Sequence, residues 1–147
     1  MAVIALSIIV ISKDDLDGFR KTIESIQPYI GEQVELILVI ADGKAAYKDF
    51  IKSIQYSTLI YNEDDGLYSA MNIGISHSRG GYINFLNGGD AFANEKPLLS
   101  YITKLSGDLV CFNVIRNGKV IKPGLDEVHP HQGVFYSAKL IKQNTYD

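Results

Sequence analysis

The chain has 147 residues, of which 46% are hydrophobic and 21% charged. This length and composition predict a single folded domain spanning residues 1–147, and they exclude a disordered or fibrous chain. The 14 Lys and Arg against 17 Asp and Glu leave a formal net charge of −3, which argues against a nucleic-acid partner because phosphate binding needs clustered cations.

The first apolar run, at residues 2–11, is rich in β-branched side chains. It lacks a preceding basic segment and a small-residue cleavage site, and it is too short to cross a bilayer. The run therefore predicts a strand buried on both faces of a sheet rather than a signal segment. Because the sequence has a single cysteine, Cys111, and no recognisable targeting segment, we expect a cytoplasmic location.

Helix-like and strand-like segments alternate along the rest of the chain. The spacing of apolar residues predicts helices within residues 13–26 and at residues 45–54, 66–78 and 96–105. Short apolar runs predict strands at residues 34–41, 58–61 and 82–86, and residues 108–115 are also β-like. The dipeptide Asn117-Gly118 is typical of a tight hairpin.

This order of elements predicts an α/β fold with a mostly parallel sheet that becomes mixed near its C-terminal end. Within that sheet, residues 3–11, 36–40 and 82–86 are expected to form neighbouring, largely parallel strands.

Polar and acidic residues follow the predicted strands, at the edge where open α/β sheets bind ligands. They are Ser12, Lys13 and Asp14, then Asp42 and Gly43, then residues 62–65, and finally residues 87–90. Carboxylates gathered at one edge repel one another unless a cation or hydrogen-bond donors neutralise them, and Mg²⁺ and Mn²⁺ prefer oxygen ligands. The pattern predicts a site for a metal-bridged phosphate ligand.

Each of these positions also has a purely structural interpretation. Asp14 and Asp65 lie where predicted helices begin, so either is compatible with an N-cap or with a favourable interaction with the helix dipole. Residues 87–90, Asn-Gly-Gly-Asp, are all of types that favour turns.

Three further groups have structural interpretations. Residues 129–132, His-Pro-His-Gln, are typical of an exposed loop more often than of a metal site. A solvated helix face accounts for Lys13, Arg20 and Lys21, and packing in the core or at its rim accounts for Tyr61, Tyr68 and Tyr82.

Four segments, in this order, resemble the motif series of family 2 glycosyltransferases with the GT-A fold: SIIVISKDDLDGFRKTIESI, VELILVIADG, NEDDGLYSAMNIGI and GGYINFLNGGDAF. The pattern is most similar to bacterial polysaccharide-assembly enzymes, which carry D-x-G-[IL]-Y-[DS]-A-M-N-x-G-I followed by F-L-N-x-G-D. The resemblance extends to HPHQGVF and so covers most of the chain. It implies a three-layer α/β/α, Rossmann-like GT-A domain that binds a nucleotide-diphosphate sugar donor.

The resemblance assigns a nucleotide-binding set. Asp42 occupies the position that usually contacts the base, and Asp65 the acidic position that completes the base pocket. Ser12, Asn72 and Gly89 are the other nucleotide-binding candidates.

The resemblance also assigns a metal ligand and a catalytic candidate. Asp90 matches the last acid of the D-x-D-type motif, which ligates the Mn²⁺ or Mg²⁺ that bridges the donor diphosphate. Gly89 occupies the position where many relatives have a second Asp, so the resemblance implies a metal site with one carboxylate ligand fewer. His131, in a His-Gln pair, would face the donor sugar or diphosphate.

The implied reaction is an inverting transfer of sugar to a saccharide or lipid-linked acceptor in surface polysaccharide synthesis, in the cytoplasm or peripherally at the inner face of the membrane. Stabilising the departing diphosphate requires a cation, and the acceptor hydroxyl requires a general base.

In similar enzymes that base is an Asp shortly after the segment matching residues 144–147. We therefore expect the base and the acceptor-side portion to lie beyond Asp147, and the isolated chain to turn over donor poorly. The alternative is a non-catalytic nucleotide- or sugar-binding remnant, or an assembly partner of a longer transferase.

Overall fold

The computed structural model describes residues 3–41, 44–63, 66–93, 98–124 and 129–147. Its strands are β1 (Leu6–Lys13), β2 (Val34–Ala41), β3 (Thr58–Asn62), β4 (Tyr82–Asn87), β5 (Leu109–Cys111), β6 (Val114–Arg116), β7 (Lys119–Ile121) and β8 (Val134–Ser137). Its α-helices are α1 (Leu16–Ile26), α2 (Lys44–Ile51), α3 (Leu67–His77), α4 (Leu98–Ile102) and α5 (Ala138–Gln143). Two short 3₁₀ turns span Gln27–Tyr29 and His131–Gly133.

The main sheet has the strand order β3-β2-β1-β4-β8-β5. Strands β1 to β4 are parallel to one another, whereas β8 is antiparallel to both β4 and β5. The prediction that the first, second and fourth predicted strands are parallel neighbours is confirmed, since β1 lies between β2 and β4. Strands β6 and β7 form a separate two-stranded ribbon.

Successive residues of β1 pack against opposite helical layers, as strand geometry requires. Ile8 and Val10 share a core with apolar residues of α1, α2 and α4. Ile9 and Ile11 share a second core with residues of α3 and α5. Helices therefore cover both faces of the sheet, in the predicted three-layer α/β/α arrangement.

The first strand is shorter than the apolar run that predicts it. Paired register with both neighbours starts at Leu6, opposite Val34 and Tyr82. Before it, the Ala5 carbonyl still accepts from the Tyr82 N–H at 3.0 Å, but Val3 lies outside the paired region. Val3 is accordingly 82% exposed. Among the described residues, no helix is long and apolar enough to cross a membrane.

The helix predicted at residues 96–105 is also shorter, because α4 ends at Ile102. There the Lys104 N–H donates to the Tyr101 carbonyl at 2.8 Å and closes a turn. Residues 96 and 97 lie outside the described residues.

The hairpin prediction is confirmed. Asn117 and Gly118 have φ angles of 50° and 73°, the left-handed values that a tight two-residue hairpin turn requires. They join β6 to β7 in a register that places Arg116 opposite Lys119.

A buried carboxylate joins the amino-terminal ends of β1 and β2 to the segment that precedes β4. Glu35 of β2, 1% exposed, accepts hydrogen bonds from the Ser7 hydroxyl at 2.6 Å and from the Arg79 N–H at 2.6 Å. The Arg79 guanidinium binds its other oxygen through Nε at 2.9 Å and Nη2 at 2.8 Å. Burial by itself raises the pKa of Glu35, but the bonds from Ser7 and Arg79 together lower that pKa below its usual value of 4.5.

We predict that Glu35→Gln lowers the free energy of unfolding by about 2 kcal/mol at pH 7, because hydrogen bonds to a charged group are lost. The ionised carboxylate contributes stability above pH 4.5, and this contribution is lost as the pH falls through the lowered pKa of the folded state. Urea unfolding at pH 7 and at pH 3 should therefore show a smaller acid-induced loss in the variant. The exposed Glu32→Gln is the control, and an equal change in both variants would contradict the prediction.

Candidate functional site

The junction between β1 and α1 is formed by consecutive aspartates. Asp15 is the N-cap of α1, since its Oδ1 accepts a hydrogen bond from the Gly18 N–H at 2.8 Å. Asp14 has a left-handed φ of 47° and precedes the cap. The interpretation of Asp14 as the N-cap is therefore wrong by one residue, because the helix starts at Leu16.

Ser12, predicted to bind nucleotide, lies within β1 and is 3% exposed. Its hydroxyl lies 2.9 Å from the hydroxyl of Tyr47, which also accepts a hydrogen bond from the Asp15 N–H at 2.8 Å. Ser12 and Tyr47 thus connect β1, α2 and the start of α1. A contact between Ser12 and a nucleotide stays a prediction.

The turn at residues 87–90 is docked onto β1 and α1 through its backbone. The Gly88 N–H donates to the Ile11 carbonyl at 3.0 Å. The Gly89 N–H is shared between the Gly18 carbonyl at 2.9 Å and the Thr22 hydroxyl at 3.0 Å. Gly89 has a φ of 101°, a backbone conformation that favours glycine, and the space where a Cβ would project is open.

Asp90 closes this turn and also faces the site. Its N–H donates to the Asn87 carbonyl at 3.0 Å, and its Oδ2 accepts from the Asn87 N–H at 2.8 Å. Asp90 remains half-buried at the edge of a cleft. The turn interpretation and the ligand interpretation are therefore compatible, because the hydrogen bond occupies one carboxylate oxygen.

The turn that carries His131 is held by Asn84, a fully buried residue of β4. The Asn84 Nδ2 donates to the carbonyls of Gln132 at 3.0 Å and Val134 at 3.1 Å. The neighbouring His129 has its Nε2 2.7 Å from the Phe112 carbonyl, and the Phe112 N–H donates to the Gly133 carbonyl at 2.7 Å. The His-Pro-His segment is therefore an ordered turn that joins β4, β8 and the end of β5.

His131 is half-buried, and its Nε2 atom is buried without a hydrogen-bond partner among the described residues. Burial lowers the pKa of the imidazole, the Asp90 carboxylate raises it, and the Arg116 guanidinium lowers it, so that the pKa lies below 6.5. The neutral ring is the favoured form at pH 7. Asp90 and Arg116 consequently act on one ring from different elements.

A cleft of about 920 Å³, a volume typical of small-molecule sites, is lined by both Asp90 and Arg116. His131 is not among its lining residues, but the next two residues, Gln132 and Gly133, are. Charged and amide side chains that line it are Asp90, Lys21, Arg116, Asn113, Asn117 and Gln132. Aromatic side chains form much of the remaining wall: Tyr29, Phe92, Tyr101, Phe112 and Phe135.

Two cations of the cleft were not expected from the sequence. The sequence pattern places Lys21 on a solvated helix face and gives Arg116 no function; in the structure Lys21 is exposed and also lines the cleft. The sequence feature that could have indicated Arg116 is its position directly before the turn residues Asn117-Gly118, at the end of the β6–β7 hairpin. Arg20, from the same predicted face, lies over the Phe50 ring at 4.4 Å from the centroid.

Asn72 lies at a different cavity, of about 820 Å³, between α3 and the C-terminal segment. Its Nδ2 donates to the Tyr146 carbonyl at 2.7 Å and its Oδ1 accepts from the Tyr146 N–H at 2.9 Å. Tyr68 stacks on Tyr146 with ring centroids 5.1 Å apart. The structure does not bring Asn72 into the cleft with Asp90, and its contact with a nucleotide stays a prediction.

Asp42 and Asp65, the proposed base-binding pair, lie outside the described residues. The expectation that they approach one pocket therefore stays a prediction.

The fit to a divalent cation depends on Asp90. Within the described ranges, no group of three or more His, Cys, Asp and Glu side chains is arranged to hold a metal ion. Mg²⁺ is commonly held in proteins by one or two carboxylates together with substrate phosphate oxygens. Asp90 fits such a cation on condition that a diphosphate supplies further oxygen ligands.

We predict that Asn84→Ala loosens the turn carrying His131, because the carbonyls of Gln132 and Val134 lose a shared donor. The expected cost is about 2 kcal/mol in the free energy of unfolding. Hydrogen exchange should show faster amide exchange at residues 131–135, with little change in α1. The exposed Asn113→Ala is the control, and unchanged exchange at residues 131–135 in the Asn84 variant would refute this role.

Comparison with known proteins identifies the family. The family model described as "Glycosyl transferase family 2" matches residues 7–143. Two uncharacterised glycosyltransferases of Mycobacterium tuberculosis, from strains CDC 1551 and H37Rv, are each 27% identical to this chain over 164 residues. The match covers 97% of this chain, which spans 62% of the length of these curated relatives.

Solved structures are similar in fold at low sequence identity. TarS 1-349 of S. aureus in complex with UDP-GlcNAc has a TM-score of 0.73 at 13% identity, covering 96% of this chain and 47% of that chain. The mannosyltransferase PcManGT of Pyrobaculum calidifontis, in complex with GDP-Man and Mn²⁺, has a TM-score of 0.53 at 17% identity, covering 60% of this chain and 28% of that chain. These similarities confirm the predicted GT-A fold class.

Proposed function

The chain belongs to glycosyl transferase family 2, and from that premise we propose that it binds a nucleotide-diphosphate sugar for inverting transfer to a saccharide or lipid-linked acceptor. The observation that carries the proposal is the cleft lined by Asp90, Lys21 and Arg116. His131 precedes two lining residues, Gln132 and Gly133, and interacts electrostatically with Asp90 and Arg116. The UDP-GlcNAc bound to TarS and the GDP-Man bound to the mannosyltransferase support a donor of this chemical class. Surface polysaccharide synthesis in the cytoplasm, at the inner face of the membrane, is the proposed setting.

Asp90 is the proposed ligand of Mn²⁺ or Mg²⁺. When bound, such a cation supplies positive charge to the departing diphosphate. The docked turn presents Asp90 at the cleft, and the open space above Gly89 leaves room for a phosphate to approach the backbone.

His131 is proposed to hydrogen-bond the donor sugar or its diphosphate. A buried polar atom without a partner is uncommon in folded proteins, and the His131 Nε2 is such an atom among the described residues. The lowered pKa of His131 favours the neutral ring, which can offer either a donor or an acceptor at that nitrogen.

The nucleotide base is proposed to bind near Asp42 and Asp65. Asp42 directly follows β2 and Asp65 lies one residue before Gly66, the N-cap of α3. Ligands of open α/β folds bind at this carboxyl edge of the sheet. Ser12, Asn72 and Gly89 are proposed to complete the nucleotide site.

The test of the metal assignment is calorimetric titration of the chain with UDP, GDP and dTDP, each with Mn²⁺ and then with excess chelator. We expect Asp90→Asn to abolish the Mn²⁺-dependent part of nucleoside diphosphate affinity, because the amide lacks the ligating charge. Its amide oxygen can still accept the Asn87 hydrogen bond, so the turn is preserved. Asp90→Ala removes both interactions and measures the contribution of the turn.

The exposed Asp108→Asn is the matched charge control. Equal Mn²⁺ enhancement in the wild type and in Asp90→Asn would refute the ligand assignment. Absence of nucleoside diphosphate binding in the wild type, under every metal condition, would refute donor binding itself.

A separate prediction concerns the base. Asp42→Asn and Asp65→Asn should each weaken binding of the preferred nucleoside monophosphate about tenfold, because one hydrogen-bonded charge is lost at the base or ribose. This loss should be the same with Mn²⁺ and with chelator. A loss that appears only with Mn²⁺ would place these carboxylates at the metal instead.

A further inference from the structure

The β6–β7 hairpin has an unusual charge distribution for this protein. Residues 109–124 contain Arg116, Lys119 and Lys122 but no acidic residue, although the whole chain has a net charge of −3. Arg116 and Lys119 are direct partners across the two strands. Like charges in this arrangement destabilise a hairpin, so an anion bound beside them would be favoured.

Arg116 extends from this hairpin to the cleft. It is the last residue of β6, it is exposed, and it lines the cleft together with Asp90. Its charge acts on the same His131 ring as the Asp90 carboxylate does. Within the described part of the chain, it has no carboxylate partner in an ion pair.

The carboxylate side of the site is sparse in comparison. The described residues that line the cleft include one acidic residue, Asp90. One of its carboxylate oxygens already accepts a hydrogen bond from the Asn87 N–H. Gly89 adds no side-chain ligand. A cation held by Asp90 would therefore rely largely on the ligand's own oxygens, and a diphosphate would bring negative charge that a single site neutralises incompletely.

We propose that Arg116 binds the diphosphate group of the donor and of the nucleoside diphosphate product. The inference rests on the proposed function and adds a specific phosphate-binding residue to it. A guanidinium group presents several N–H donors in a plane that matches two phosphate oxygens, which suits Arg to this role better than Lys. The negative charge of the diphosphate is then neutralised both by Arg116 of the hairpin and by the metal ion.

The test measures binding of three related ligands to three variants. The ligands are the nucleoside diphosphate that binds the wild type most tightly among UDP, GDP and dTDP, its monophosphate, and its nucleoside. The variants are Arg116→Gln, Arg116→Lys and the control Lys122→Gln, which removes the same charge from an exposed position after β7 that does not line the cleft. Titrations are run with excess chelator and with Mg²⁺, after circular dichroism has compared folding.

With chelator, Arg116→Gln should weaken nucleoside diphosphate binding about tenfold and leave nucleoside binding unchanged, because the nucleoside lacks the phosphates. Arg116→Lys should retain part of the affinity, and Lys122→Gln should change it less than twofold. The difference between the wild type and Arg116→Gln should decrease as NaCl is raised.

Equal diphosphate affinity in the wild type and Arg116→Gln would overturn the inference while leaving donor binding intact. An equal loss in Lys122→Gln would indicate a general effect of net charge and would also overturn it, as would an equal loss of nucleoside affinity in Arg116→Gln. If the wild type binds none of the nucleoside diphosphates with or without Mg²⁺, the proposed function fails and the inference fails with it.

Discussion

Docking of the turn at residues 87–90 onto β1 and α1 is the constraint on which the geometry of the site depends. Backbone N–H groups of Gly88 and Gly89 make the contacts, so the docking does not depend on long side chains. A Cβ on Gly88 would lie 3.1 Å from the Ser12 hydroxyl oxygen, which limits the size of the residue that fits there. With the turn held in this way, Asp90 projects toward the cleft rather than along the sheet.

Hydrogen-bonded and unsatisfied buried polar groups lie at different places along the strands. At one end, Glu35 has both carboxylate oxygens in hydrogen bonds to Ser7 and Arg79, so its burial is compensated. Beside the cleft, the Oδ1 of Asn84 and the Nε2 of His131 are buried without partners among the described residues. Unsatisfied polar atoms carry a free-energy cost, and proteins concentrate such costs at functional sites.

The antiparallel strands determine where His131 and Arg116 lie relative to the cleft. Parallel strands β1 to β4 form one part of the main sheet, and β8 places the His131 turn beside β4. The β6–β7 ribbon lies outside the main sheet and directly follows its edge strand β5. It contributes a guanidinium to a cleft whose other wall comes from α1 and the segment after β4.

Local patterns in the sequence determine most of the elements and one turn. Apolar spacing predicts β2 at residues 34–41 with the observed bounds and a helix within residues 13–26, where α1 starts at Leu16. Burial on one or both faces leaves this periodic signature. Asn117-Gly118 predicts its hairpin because few other residues adopt two successive left-handed conformations. The motif series similarly points to the family, since its residues are contiguous in the chain.

Tertiary structure alone decides which distant side chains meet. Asn72 is paired with the backbone of Tyr146, 74 residues away, and Ser12 with Tyr47, 35 residues away. Arg116 lies in the cleft with Asp90 because a hairpin and a docked turn converge there. Periodicity reports the face on which a side chain lies, but the contacts of that face depend on how strands and helices pack, which residue spacing along the chain does not encode.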